Sequence, residues 1–228
     1  MQILYITPSP PNSMSRIRTQ NIIKAMQKLG HQVTLVSFVY NDNDISTLKK
    51  CSSYIEDIKW VKQPKWKSMF KCLLGLLLPI PLRVLYCNSS KMKNTIERCL
   101  IEKDYDLIYI KRLRMAQYAY LGRQKHITTI VDITDSLTKY YERISKKESG
   151  WKKLLDYEEY YKHRIYEPKM CKHNAPIVIC SEDDKNYLTD IDSELNNNIF
   201  VMNNSIETSI WLSDAVVTAV EGERKRLT

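Results

Sequence analysis

Two short apolar runs with one helical pattern between them constrain the fold of this chain more than any other feature. Gln2 to Ile6 (QILYI) reads as a buried strand, and the loop from Thr7 to Ser15 is rich in Pro, Ser and Asn. Apolar Ile22, Met26 and Leu29 then recur at helical spacing, Gly30 stands at the helix C-cap, and Val33 to Phe38 is a second strand. Strand, helix and strand make a βαβ unit, whose right-handed crossover leaves the two strands parallel. The Thr7–Arg18 loop then lies at the carboxyl edge of the first strand, where open α/β sheets bind ligands.

The same alternation continues. Further strands are expected at Ile55–Val61, Asp106–Ile110, Ile127–Ile133, Pro176–Cys180 and Ile199–Met202. Between them, helices are expected from about Asp44 (as N-cap) to Tyr54, over Lys65–Leu78, Lys91–Lys103 and Arg112–Leu121, and over Trp151–Cys171. In the last of these, Leu154, Leu155, Tyr161 and Ile165 are the inward candidates, and Ser181 with Asp184 makes a capping box for a helix that follows. The fold class is α/β: a single Rossmann-like, doubly wound, mainly parallel sheet.

Composition narrows the function classes. Only 5 glycines argues against an all-β protein built on tight turns. The 6 cysteines form no CxxC pair, and Met1 runs straight into a strand, so reduced thiols in a cytoplasmic protein are expected. The longest apolar run, Cys72 to Leu82, is interrupted by Gly75, Pro79 and Pro81 and is too short to span a bilayer. The net charge of +9 is local: between Ile58 and Ile96 there are eight Lys/Arg and no acid.

Four groups of residues carry candidate chemistry. In the first loop, Arg16 and Arg18 beside a helix N-terminus suit a phosphate, although a Pro-rich connector with two solvated arginines has the same sequence. Neither GxGxxG nor GxxxxGK[ST] occurs, so neither phosphate-binding fingerprint is supported. Asp132 and Asp135 end a strand (IVDITDS) and could orient hydroxyls or act as a base; alternatively Asp135 or Ser136 caps the next helix. Lys65, Trp66, Lys67, Phe70 and Lys71 beside a leucine cluster fit an interfacial membrane element or an amphipathic helix packed on the sheet. Few arginines and no recognisable motif there speak against nucleic acid. Cys171, His173 and His163 lack a fourth ligand at a convincing spacing, so no metal site is read.

In order, MQILYITPSPPNSMSRIRTQNIIKAMQKLGHQVTLVSF, YDLIYIKRLRMAQY, IVDITDSLTKYYERIS, LLDYEEYYKHRIYEPKMCKHNAPIVICSEDDKNYL and VMNNSIET resemble the N-terminal half of GT-B fold glycosyltransferases. The likeness is to family 4, and within it to the sugar transferases of exopolysaccharide clusters. It covers Met1 to about Thr208. It implies an acceptor-holding domain over residues 1–208, followed at 209–228 by a short tail where a donor domain would stand. The implied reaction is retaining transfer of a sugar from a nucleotide sugar to a glycan or lipid-linked acceptor, in cell-surface polysaccharide synthesis, without cofactor or metal.

By the same resemblance, Ser13, Met14, Ser15, Arg16 and Arg18 face the donor phosphates, although the two glycines usual in that loop are replaced here. Asp135 and Asp132 stand at the transfer site, with Lys111 and Arg112 beside the acceptor. The Lys65–Lys71 segment meets a membrane, placing the protein peripherally on its inner face. A fragment, a truncated product or one subunit of a split enzyme with a separate donor-domain partner would then be inactive alone. A non-enzymatic membrane-associated scaffold subunit is the alternative, and a nucleotide-binding regulator a third.

Overall fold

The computed structural model describes residues 1–11, 17–64, 69, 75–76, 78–147, 149–174 and 176–204. Seven strands form one sheet: β1 (Gln2–Thr7), β2 (Gln32–Val39), β3 (Asp57–Lys62), β4 (Leu107–Lys111), β5 (Thr128–Thr134), β6 (Ile177–Ile179) and β7 (Ile199–Val201). Their order is β3-β2-β1-β4-β5-β6-β7, and every pairing is parallel. The seven expected strands are all present, each end within two residues of its sequence reading. Order reverses between β1 and β4, so the switch point falls between the loops that follow those two strands.

Alternation along β1 explains the two layers. Leu4 and Ile6 face one core with Phe38, Ile108 and Ile110, while Ile3 and Tyr5 face the other with Val33 and Leu35. The second face is covered by α1 (Ile17–Lys28) and α2 (Asp42–Cys51) through Ile23, Leu48 and Cys51. The first takes α4 (Ser90–Glu102), α5 (Ala119–Gln124), the end of α7 (Gly150–His173) and α8 (Glu182–Ile191). Short α3 (Leu82–Tyr86) and α6 (Leu137–Ser145) are two further α-helices among the described residues. Gly30, at φ +78°, ends α1 in a Schellman motif: its own N–H bonds the Gln27 carbonyl and that of His31 the Met26 carbonyl.

Three expectations need correction. Asn41, not Asp44, caps α2; its side chain accepts from the Asp44 N–H at 2.9 Å. Residues after Arg112 do not enter an α-helix directly. Arg112 sits at φ +75°, so the chain makes a 3₁₀ turn over Leu113–Tyr118 before α5 begins.

The third concerns α7, whose inward face is not the apolar one. Leu154, Leu155, Tyr161 and Ile165 are exposed, while Glu159, Lys162, His163 and Glu167 are buried. The reason is that three of these polar groups satisfy backbone atoms of other segments, while His163 bonds the Glu159 carbonyl of its own helix and stacks on Tyr141. Glu159 accepts from the Leu82 N–H at the start of α3 (3.1 Å). Lys162 donates to the carbonyls of Gly75 and Leu76. Glu167 accepts from the Leu137 and Thr138 N–H groups at the start of α6 (3.1 and 2.8 Å). Helix termini carry unpaired donors and acceptors, and buried side chains of α7 supply their partners.

Among the described residues no helix is long and apolar enough to cross a membrane. Most of the expected Lys65–Leu78 helix, including Lys65, Trp66, Lys67, Phe70 and Lys71, lies outside the described residues, as does the 209–228 tail.

Candidate functional site

A cleft of about 600 Å³ opens at the carboxyl edge of the sheet, over the switch point. The segment after β1 contributes Thr7, Pro8 and Ser9, and the first turn of α1 adds Arg18 and Thr19. From β4 and its turn come Lys111, Arg112 and Arg114; from the end of β5 and the residue after it, Thr134 and Asp135. Arg83 of α3 and Asn204 beyond β7 close the ends. Ser13, Met14, Ser15 and Arg16 lie outside the described residues, but Arg18 stands where the sequence places it.

Asp132 is the electrostatic centre. It is fully buried, and Oδ2 accepts from Tyr109 Oη (2.7 Å), Lys111 Nζ (2.7 Å) and Arg18 Nε (3.3 Å), while Oδ1 accepts from Thr134 Oγ1 (3.1 Å). Burial opposes its charge, but Lys111 and Arg18 prevail and hold its carboxyl below the usual range. Burial acts the other way on Lys111, whose ammonium is pushed down to about 8 despite Asp132. Beneath them Tyr5 stacks on Tyr109 at 5.0 Å. This set is closed on itself. Asp132 fixes Lys111 and Arg18 in place and has little capacity left for a ligand.

Arg18 also reaches across the cleft edge, donating from Nη1 to the Met202 carbonyl (2.8 Å) and to Asn204 Oδ1 (2.9 Å). One guanidinium thus ties α1 to the chain leaving β7. Nothing in the sequence pairs residues so far apart.

Asp135 has a different environment, although it is only three residues on. Its side chain is 52% exposed in the cleft, 3.4 Å from Arg112 Nη1, and its Oδ1 accepts from Cys180 Sγ at 2.9 Å. A β-bulge separates the two carboxylates: register between β5 and β6 shifts between Asp132 and Thr134. Thr134 takes φ +71°, a conformation that β-branched residues rarely adopt. The bulge turns the chain so that Asp132 stays under the sheet edge while Asp135 points outward. Ser136 and not Asp135 caps α6, accepting from the Lys139 N–H. Thr134 and Arg112, both at positive φ and at the ends of neighbouring strands, flank the cleft, and backbone strain of this kind gathers at functional sites.

Asp135, Cys180 and Asp184 come close enough together to suggest a metal site. Their surroundings fit a cation poorly, because Arg112 already faces Asp135 and Lys139 pairs with Asp184 at 3.2 Å.

The sequence matches no protein-family model, and no curated protein matches it significantly. Solved structures do. A UDP-N-acetylglucosamine 2-epimerase from Listeria monocytogenes superposes with a TM-score of 0.54 at 11% identity, over 88% of this chain and 44% of that one. A Polygonum tinctorium UDP-glucosyltransferase capable of glucosylating indoxyl gives 0.54 at 8% identity, over 90% and 53%. UGT2 of Phytolacca americana, in complex with UDP-2-fluoro-glucose and pterostilbene, gives 0.53 at 10%, over 94% and 57%. The fold is that of a GT-B lobe. The chain spans about half the length of these structures. At such identities the likeness concerns architecture, and in this GT-B lobe the residues of the cleft must speak for themselves.

Two features of the lobe's site escaped sequence reasoning. Arg83 and Arg114 reach the cleft from a five-residue helix and a 3₁₀ turn, neither of which has a usable periodicity. The burial of Lys111 (2% exposed) was visible only as one charge ending an apolar strand.

Proposed function

We propose that this chain is the acceptor-side lobe of a glycosyltransferase that moves a sugar from a nucleotide sugar to a glycan or lipid-linked acceptor in cell-surface polysaccharide synthesis. The observation that carries the reading is an exposed carboxylate, Asp135, set beside fixed cations in a cleft over the switch point of a GT-B lobe. Neighbours of this fold are solved with UDP-2-fluoro-glucose or named for UDP-sugar substrates, which supports a sugar nucleotide as one partner.

In this reading Asp135 accepts a hydrogen bond from an acceptor hydroxyl and orients it, with Arg112 and Lys111 as donors to neighbouring oxygens. Arg18 stands toward the donor phosphates at the first turn of α1, joined there by the Ser13–Arg16 loop. Asp132 is a positioning residue. A second lobe, joined to this one or supplied as a separate chain, grips the nucleotide. A lipid-linked acceptor approaches past the Lys65–Lys71 segment; within it Met69, and on either side of it in sequence Trp60 and Leu78, are exposed.

The test is nuclear magnetic resonance titration of the labelled chain with neutral oligosaccharides and with UDP. Oligosaccharide binding that shifts Lys111 and Arg112 resonances and is lost in Asp135→Asn is expected. Micromolar UDP binding without any response to oligosaccharide would replace this reading with that of a nucleotide-binding regulator.

A further inference from the structure

Past Asp135 the cleft continues into a second chamber of about 400 Å³, walled by Arg83, Arg112, Asp135 and Asp184 and by Lys139 and Arg143 of α6. Its charges do not balance. Lys139 is taken by Asp183 and Asp184, and Arg112 faces Asp135. Arg83 and Arg143 here, and Arg114 in the main cleft, form no salt bridge among the described residues, although Arg83 lies near enough to Glu159 to act on its charge.

The arginines are also built for a ligand. The Arg83 guanidinium lies 5.6 Å from the ring centre of Tyr141 and 5.8 Å from that of Tyr140. Tyr141 also accepts a hydrogen bond from Arg83, and a guanidinium held this way keeps further in-plane N–H groups that can donate to a ligand. The helix that carries it is pinned at its first residue by Glu159. In the adjoining main cleft, outside this chamber, Nε of Arg114 and Nη2 of Arg18 are buried with no acceptor. A buried unpaired donor is costly, and a bound anion would satisfy it.

We infer that this chamber is a phosphate subsite, and that the acceptor carries a phosphoryl group gripped by Arg83 and Arg143. The planar forks match phosphate oxygens, and the neighbouring Asp135 then meets a hydroxyl of the same molecule. The role in transfer rests on the glycosyltransferase reading; the binding itself does not.

Calorimetric titration of the full chain with a hexose 1-phosphate, the same free hexose, inorganic pyrophosphate and UDP tests it. The hexose phosphate is expected to bind on the order of tenfold or more tighter than the hexose, with affinity falling as salt rises. Arg83→Gln and Arg143→Gln are each expected to weaken it by roughly tenfold, the effect of one charge-assisted hydrogen bond. Arg143 is exposed on α6, so its variant keeps the test sound if Arg83→Gln fails to fold. Equal binding of hexose and hexose phosphate overturns the subsite. UDP competing with hexose phosphate, and weakened by the same substitutions, overturns its assignment to the acceptor and gives it to the donor diphosphate. Binding of pyrophosphate and hexose phosphate, both sensitive to Arg143→Gln, with no neutral oligosaccharide bound at all, upholds the phosphate subsite while removing the glycan reading of the main cleft.

Discussion

Replacing Asp132 and Asp135 one at a time by asparagine should separate stability from ligand binding. Asp132 is fully buried and takes donors from Tyr109, Lys111, Arg18 and Thr134. Removing its charge leaves the Lys111 ammonium without its counter-ion, and breaking a buried pair in this way costs about 3–5 kcal/mol. With a urea m-value of roughly 2 kcal/mol/M, the unfolding midpoint should fall by about 1.5–2.5 M. Asp135 is half exposed and only 3.4 Å from Arg112, an ion pair worth about 0–1 kcal/mol, so its midpoint should barely move.

Lys111 supplies an internal control. Burial holds its amine down to about 8, against an ordinary value of 10.5, so the amine is largely neutral by about pH 9.5. The deficit of Asp132→Asn should therefore narrow between neutral pH and about pH 9.5. Urea melts followed by circular dichroism at both pH values, alongside oligosaccharide titration, give all four quantities. Equal midpoints for Asp132→Asn and the parent protein would refute the reasoning, as would an Asp135→Asn deficit as large as that of Asp132→Asn.

Three further outcomes are expected. Burial pushes His163 down to about 4, and its Nδ1–H donates to the Glu159 carbonyl, so the unfolded chain binds a proton between about pH 6.5 and 4 that the folded chain refuses. Stability should fall with pH through that window by roughly 3 kcal/mol, and His163→Phe, which keeps a ring against Tyr141, should remove that slope. Glu159 and Glu167, raised by burial, contribute a slope of opposite sign that cancels in the comparison; identical acid slopes would disprove the point. Arg112→Gly relieves a φ of +75° and should raise stability by about 1 kcal/mol while weakening ligand binding, as thermal melts and titration together would show. Gly122→Ala should destabilise by about 1–3 kcal/mol in a denaturant melt, because a Cβ there would run into Thr129 Oγ1 and Ile108 Cδ1 where α5 packs on the sheet.

The strands were legible because buried parallel strands are written as continuous apolar runs such as LIYIK and QILYIT, which tolerate little else. Gly30 and the Ser181–Asp184 cap were legible for an equally local reason; Ser181 Oγ accepts from the Asp184 N–H at 3.1 Å. What failed to show was anything decided between distant segments. The apolar residues of α7 suggested an inward face, but the buried one belongs to Glu159, Lys162, His163 and Glu167; backbone groups far along the chain need Glu159, Lys162 and Glu167 as partners there. In the site, IVDITDS displayed both carboxylates, yet only the bulge at Thr134 sends one inward and the other to the cleft. A left-handed threonine leaves no mark in the sequence.

Glu159 and Glu167 sit on one helix, eight residues and roughly 12 Å apart, each gripping the first turn of a different cleft-wall helix. The wall bearing Arg83 and the wall bearing Arg143 are therefore riveted to a common beam behind them. Neither can swing without dragging the other, so the gap between them behaves as a fixed aperture, and it would be resized by edits to the beam, well out of any ligand's reach.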